Sequence, residues 1–168
     1  MENLSFDVRD SYSFFEKLKD EFKELELNPT STRTAINFSM TAFHLTDWLY
    51  WETKTENEIK EIKGDYKIFR NKMDKELKDF VSEIKSSCPE IQIVHDITNG
   101  FKHAVLFRHT RQGDSTLKKG GGFSPGFNKG YNIQCLLVKV DNKELHFDEI
   151  ANKVMMFWER YFKVRIKG

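Results

Sequence analysis

The sequence predicts an α+β fold, mainly α: a bundle of about four helices, then a small antiparallel β-meander, then a C-terminal helix. Three observations predict it. Apolar residues recur at three and four through the first two thirds of the chain, the spacing of one helix face. After His103 the pattern changes to short runs of branched and aromatic residues, which read as strands. No internal repeat and no linker divides the 168 residues, so a single domain over 1–168 is expected.

The first helix runs from about Asp7 to Leu27, with Phe15, Leu18, Phe22 and Leu25 on its inner face and Asp7 as a possible cap. "NPTST" ends it and caps the second, Ser31 to about Thr53. Ile36, Phe38, Ala42, Phe43, Leu45, Trp48, Leu49 and Trp51 cover most of that helix, as expected of a central one. After Gly64, with Asp65 as a possible cap, Tyr66, Phe69, Met73, Leu77, Phe80 and Ile84 mark a third helix. Its alternating lysines and acids form a solvated face. Pro89 suits the first position of a fourth helix that reaches about His103. "AVLFRH" and "YNIQCLLVKV" then read as strands, "VDNKEL" as a hairpin turn, and "ELHF" as a short third strand. Asp148 is the expected cap of the last helix, whose Ile150, Val154, Phe157, Trp158 and Phe162 face inward.

Composition bounds the rest. A hydrophobic share of 39% supports a sizeable core, and fifteen phenylalanines predict that rings rather than leucines build it. A net charge of +1 argues for neither a nucleic-acid nor a membrane bias of the whole chain. Cys88 and Cys135 show no metal-finger spacing and read as reduced thiols. No apolar run approaches the roughly 20 residues of a membrane span, and "MENLSFDVRD" lacks the apolar segment of a signal peptide. A cytoplasmic protein without a membrane partner is expected.

Two polar stripes call for explanation. Asp96, Asn99 and His103 fall at i, i+3 and i+7 on the fourth helix, with Ile91, Val94, Ile97 and Phe101 on the other stripe. His44 and Asp47 share a face of the apolar second helix. Burying such groups unpaired costs on the order of 2–7 kcal/mol, so the economical fold lets the two stripes satisfy each other. Gly100 fits a close approach there, or an early helix end. Three uses remain open: an inert hydrogen-bonded network, a divalent metal site, and acid/base chemistry on RNA. In the last, His103 moves the proton and Lys102 or a loop arginine holds phosphate charge. Neither helix carries a Glu-x-x-His or His-Glu-x-x-His spacing, and the favoured reading needs no metal and no cofactor.

"TNGFKH", Thr98 to His103, resembles the signature of the HEPN superfamily, in which an arginine, often followed by asparagine, precedes a closing histidine. The resemblance implies a compact helical bundle. It also implies a metal-independent endoribonuclease of a toxin or phage-defence type, partnered by RNA and by a second copy or a cognate antitoxin. His103 matches the catalytic histidine and Asn99 the asparagine, while Thr98 stands in the arginine's place and leaves the charge to Lys102 or Arg108. A second resemblance joins "AFHLTDWLYW", "CPEIQIVHDITNGFKH", "GGGFSPGF" and "FWERYF" to a set of uncharacterised bacterial and phage proteins, and implies a shared fold and site. On these grounds Asp96, Asn99, Lys102, His103, His44 and Asp47 are the candidate catalytic residues.

The segment from Arg108 to Lys129 is the one clearly basic region. Arg108, Arg111, Lys118, Lys119 and Lys129 stand against the single acid Asp114, with Phe123, Phe127 and Tyr131 among the glycines. Rings that stack on bases and cations that meet phosphates make it the candidate nucleic-acid contact. It lacks the P-loop pattern, and its Gly, Ser and Lys content predicts a mobile loop over about 111–130. His109 and His146 read as ordinary strand histidines, and Trp48, Trp51 and Trp158 as packing residues.

Overall fold

The protein is described by a computed structural model covering residues 7–55, 57–58, 66–102, 113–119 and 135–167, with side chains at 7–55, 57–58, 75–101 and 135–165. Five helices and three strands lie among them: α1 Ser11–Leu27, α2 Thr32–Glu52, α3 Tyr66–Ser87, α4 Glu90–Lys102, β1 Gly113–Lys119, β2 Cys135–Val140, β3 Lys143–His146 and α5 Phe147–Lys167. The order is the expected α+β one, mainly helical.

Helix α1 starts later than expected, because Asp10 and not Asp7 caps it. The Asp10 carboxylate accepts from Ser13 N at 2.7 Å, and Ser13 Oγ accepts from Asp10 N at 3.1 Å, a reciprocal capping box. These donors hold the Asp10 carboxyl below its ordinary range. Ser31 caps α2 by accepting from Thr34 N.

Helix α2 is central: it packs against α1, α3, α4 and α5. It reaches them through Phe38, Ala42, Leu45 and Leu49, and through the small buried polar residues Thr34, Ser39 and Thr46. Ser39 Oγ bonds back to Ala35 O at 2.8 Å and Thr46 Oγ1 to Phe43 O at 2.7 Å on their own helix, and Thr34 Oγ1 donates to Ser31 O of the cap at 3.0 Å. The polar atoms are satisfied locally and the slim side chains let neighbours approach.

In α4, Ile91 and Val94 are buried as expected, but Phe101 is 65% exposed and its place in the core goes to Thr98. The helix continues through Gly100 to Lys102.

The sheet is antiparallel in the order β1-β2-β3. Strand β1 corrects the expected loop: Gly113–Lys119 pairs with β2, Thr116 opposite Val138 and Lys119 opposite Cys135. Ladder bonds are made by backbone groups, so an edge strand can be polar where an apolar sequence signal is lacking. The rest of 111–130, and the expected strand "AVLFRH", lie outside the described residues. Asp141 and Asn142 form the two-residue turn from β2 to β3 with φ 48° and 63°, the left-handed pair of a type I′ hairpin. Strand β3 passes directly into α5, so Asp148 is not its cap but, with Glu149, an acid of its first turn.

One core joins these elements. It is mixed rather than ring-built: Phe15, Phe38, Phe147 and Phe162 share it with Leu18, Leu45, Leu49, Ile91 and Val154 around a wholly buried Trp158. Phe157 is only partly buried. Phe15 stacks on Phe162 at 4.4 Å, and Phe38 meets Phe147 edge-on at 6.3 Å. Among the described residues no helix is long and apolar enough to cross a membrane.

Candidate functional site

The packing of α4 on α2 sets His95, a residue the sequence pattern passed over, against α2, while the polar side chains of each stripe find hydrogen bonds on their own helix, His44 with Asp47 and Asp96 with Gln92. His95 of α4 lies against the Phe43 ring of α2, with centroids 4.1 Å apart. Its Nδ1 is 3.0 Å from Lys85 Nζ of α3, and its Nε2 is 2.7 Å from the Asn99 side-chain amide one turn on. Lys85 also sits over the Phe43 ring at 5.6 Å. Gln92 donates to Asp96 Oδ1 at 2.8 Å, and that carboxylate is 3.6 Å from His95 Nδ1. Asp96 and Asn99 therefore belong to a network centred on His95. The sequence clue was the i, i+4 pair His95–Asn99, which shares a helix face with no need of His103.

Burial pushes the His95 imidazole down from 6.5 to about 4; the Lys85 charge adds to this, and Asp47 opposes it. Lys85 is also lowered by burial, against the pull of Asp96. His95 is thus neutral at physiological pH. A neutral ring that accepts from Lys85 at Nδ1 carries its proton on Nε2, so the Asn99 amide must turn its oxygen to that nitrogen. With a pKa near 4 the ring is a weak base, and its part is to position Lys85 and Asn99.

The second half of the cluster is open. His44 Nδ1 is 3.1 Å from Asp47 Oδ2, and the two side chains are 43% and 37% exposed, against 23% and 10% for His95 and Asp96. The Phe43 ring is 5.7 Å from that of His44 and 4.1 Å from that of His95. A carboxylate on Nδ1 fixes the imidazole tautomer and leaves Nε2 as the nitrogen available to a substrate. His44 lines a groove of about 290 Å³ between α1 and α2, with Phe14, Lys17, Asn37, Met40 and Thr41. Lys17 Nζ bridges Glu21 and Thr41, at 2.7 Å from each, across its floor. Phe14 stacks on Trp48 at 5.1 Å along its wall.

Thr98, which stands at the arginine position of the motif, is 4% exposed, and its Oγ1 donates to Val94 O at 2.8 Å. That position is buried in the core, and Lys85 and Asn99 meet His95 at its two different ring nitrogens. Lys102 ends α4, and its side chain lies outside the described residues, as do His103, Arg108, Arg111, Phe123, Phe127 and Lys129. Lys118 and Lys119 are placed by backbone only, on β1 opposite Leu136 and Cys135. Among the described residues no three His, Cys, Asp or Glu side chains are grouped so as to hold a metal ion. No protein-family model, curated protein or solved structure matches the chain.

Proposed function

We propose that this protein acts on RNA as a HEPN-like endoribonuclease of the toxin or phage-defence kind, with the open His44–Asp47 pair as its proton-transfer group. The observation that carries the reading is a half-exposed imidazole, oriented by a carboxylate and opening on a groove that Lys17 also lines. In this reading His44 Nε2 takes the proton of an RNA 2′-hydroxyl. The 2′-oxygen attacks phosphorus, the bond to the 5′-oxygen breaks, and a 2′,3′-cyclic phosphate forms. A second group returns a proton to the leaving oxygen, and the "TNGFKH" resemblance assigns that to His103. Lys17, the cation that lines the same groove, offsets the charge that grows on phosphate. Partners would be RNA and a second copy or an antitoxin.

The test is RNA cleavage by the full chain, with His44→Ala, Asp47→Asn and His103→Ala beside it. Loss of His44 should slow cleavage by about 10²–10⁴-fold while the melting temperature stays close to wild type. Cyclic-phosphate ends should mark the product. Cleavage at the wild-type rate by His44→Ala, or no cleavage of any structured or unstructured RNA by wild type, overturns the reading.

The closed half favours a second reading, a non-catalytic binding or regulatory module locked by a buried polar network. All the hydrogen bonds of His95 named above are internal. In that case His95→Ala costs about 1–3 kcal/mol of stability, and no variant changes any RNA.

A further inference from the structure

We propose that the face of α5 built from Phe157, Tyr161, Arg160 and Arg165 is a binding surface for single-stranded RNA, separate from the His44 groove. Ring contacts run from this face inward through the buried Phe162 to Tyr12. Phe157 meets Tyr161 at 6.1 Å, Tyr161 meets Phe162 at 6.0 Å, and Phe162 meets Tyr12 at 6.2 Å. The line is anchored, because Phe162 is itself buried and stacked on Phe15. Phe157 and Tyr161 are partly buried with one side against the core, Tyr12 is 47% exposed, and the aliphatic Val164 that lines the same bay as Tyr161 is 70% exposed.

Two bays of about 440 Å³ each open along the line. The first, lined by Asp10, Ser11, Tyr12, Glu52, Phe162 and Arg165, sets two carboxylates against one guanidinium. The second, lined by Phe157, Tyr161, Val164, Arg160 and Arg165, holds two guanidinium groups and no acid and is the one suited to a polyanion. Arg165 divides them. Its guanidinium binds Glu52 at 3.2 Å, a carboxylate that already accepts from Ser11 N and Oγ, so most of its five donors remain for a ligand.

The charge of this stretch chooses the occupant. From Phe157 to Lys167 the helix carries Arg160, Lys163, Arg165 and Lys167 against the single acid Glu159, although the whole chain is nearly neutral. Rings spaced with cations suit a strand whose bases stack while its phosphates meet guanidinium groups. A duplex hides its base faces, so the strand must be single. The proposal takes its ligand class from the RNA-acting reading but not its chemistry, since none of these residues belongs to the His44–Asp47 pair.

The experiment is fluorescence anisotropy of a labelled single-stranded RNA of about 12 nucleotides with the full chain. Wild type and His44→Ala are compared with Arg160→Glu, Tyr161→Ala and Tyr161→Phe, and melting temperatures are read alongside. Expected are equal binding by wild type and His44→Ala, a loss of roughly tenfold or more for Arg160→Glu and Tyr161→Ala, and near-wild-type binding by Tyr161→Phe. Affinity should also fall steeply between about 50 and 200 mM salt. Wild-type binding by Arg160→Glu, equal affinity for a duplex of the same length, or no binding at low salt overturns the proposal. Conversion of a dimer to a monomer by Arg160→Glu would overturn it too, by assigning the face to a second copy. Binding that persists in a protein without cleavage activity would refute the His44 chemistry and leave this surface standing.

Discussion

At the scale of single residues, His95 and Thr98 show what one sequence can and cannot reveal. Both sit on α4 within the stripe pattern, yet their roles follow from what α2 and α3 bring against them, and no period along α4 contains that. Asp96, Asn99, His44 and Asp47 were legible as polar groups misplaced on apolar helices. The role of His95 was not, because Lys85 and Phe43 meet it only in space. The His95 environment has a consequence for pH. Its folded pKa, about 4, lies below the 6.5 of the free side chain. Between those values the unfolded chain binds more protons, so stability is full above pH 6.5 and is lost as pH falls toward 4. A shift of this size corresponds to on the order of 3 kcal/mol, which partial exposure of the ring reduces to about 1–2 kcal/mol. Urea midpoints at pH 7 and pH 4.5 should show that loss in wild type and a smaller one in His95→Gln; equal slopes would place the ring in water. Thr98→Arg is a second residue-scale test. A guanidinium forced into this buried site should cost roughly 3–5 kcal/mol, so the variant should melt far below wild type. A variant of unchanged stability would mean that Thr98 does not face the core.

At the scale of elements, the helices were legible and the strands only partly so. Amphipathic spacing is a local property, and Phe15, Leu18 and Leu25 stand on the inner face that it indicates. Strand β1 gave no such sign, since "GDSTLKK" is polar and Gly-containing and owes its form to the ladder offered by β2. The Asp141–Asn142 turn was readable because its chemistry is local. Contacts between element ends were not readable. Glu52, the last residue of α2, accepts from both Ser11 N and Ser11 Oγ at the start of α1 and pairs with Arg165 near the end of α5. It satisfies a free N–H of the first turn of α1 and ties three helix ends together. Glu52→Ala should therefore cost about 1–3 kcal/mol, more than an exposed ion pair, which is typically worth about 0–1 kcal/mol. Thermal melts of Glu52→Ala and Arg165→Ala separate the two contributions: the first should fall clearly and the second little. Equal small shifts would reduce the Glu52 contacts to a surface ion pair.

At the scale of the whole molecule, the central position of α2 decides how the protein unfolds. Phe38, Ala42, Leu45 and Leu49 are wholly buried and belong to one contiguous core that also takes in Ile91 and Val94 of α4, Val138 of β2 and Trp158 of α5. The described part of the meander joins this core through its buried Val138, and β2 and β3 both lie on α5. A three-stranded sheet that depends on a helix for its apolar face should not survive the loss of that helix. Unfolding is therefore expected as one cooperative transition, in which helix content and the Trp158 environment change together. Leu45→Ala tests this, because Leu45 is wholly buried in the core cluster on the central helix. It should cost about 2–5 kcal/mol and lower the melting temperature by roughly 5–20 °C. Far-ultraviolet dichroism and tryptophan fluorescence should move by the same amount. If the two probes separate in wild type or variant, the helical bundle and the meander unfold independently, and the single-core account fails. If they coincide, a loss of stability from any core variant reaches the His44 groove as well, and activity measurements on such variants must be made well below their melting temperatures.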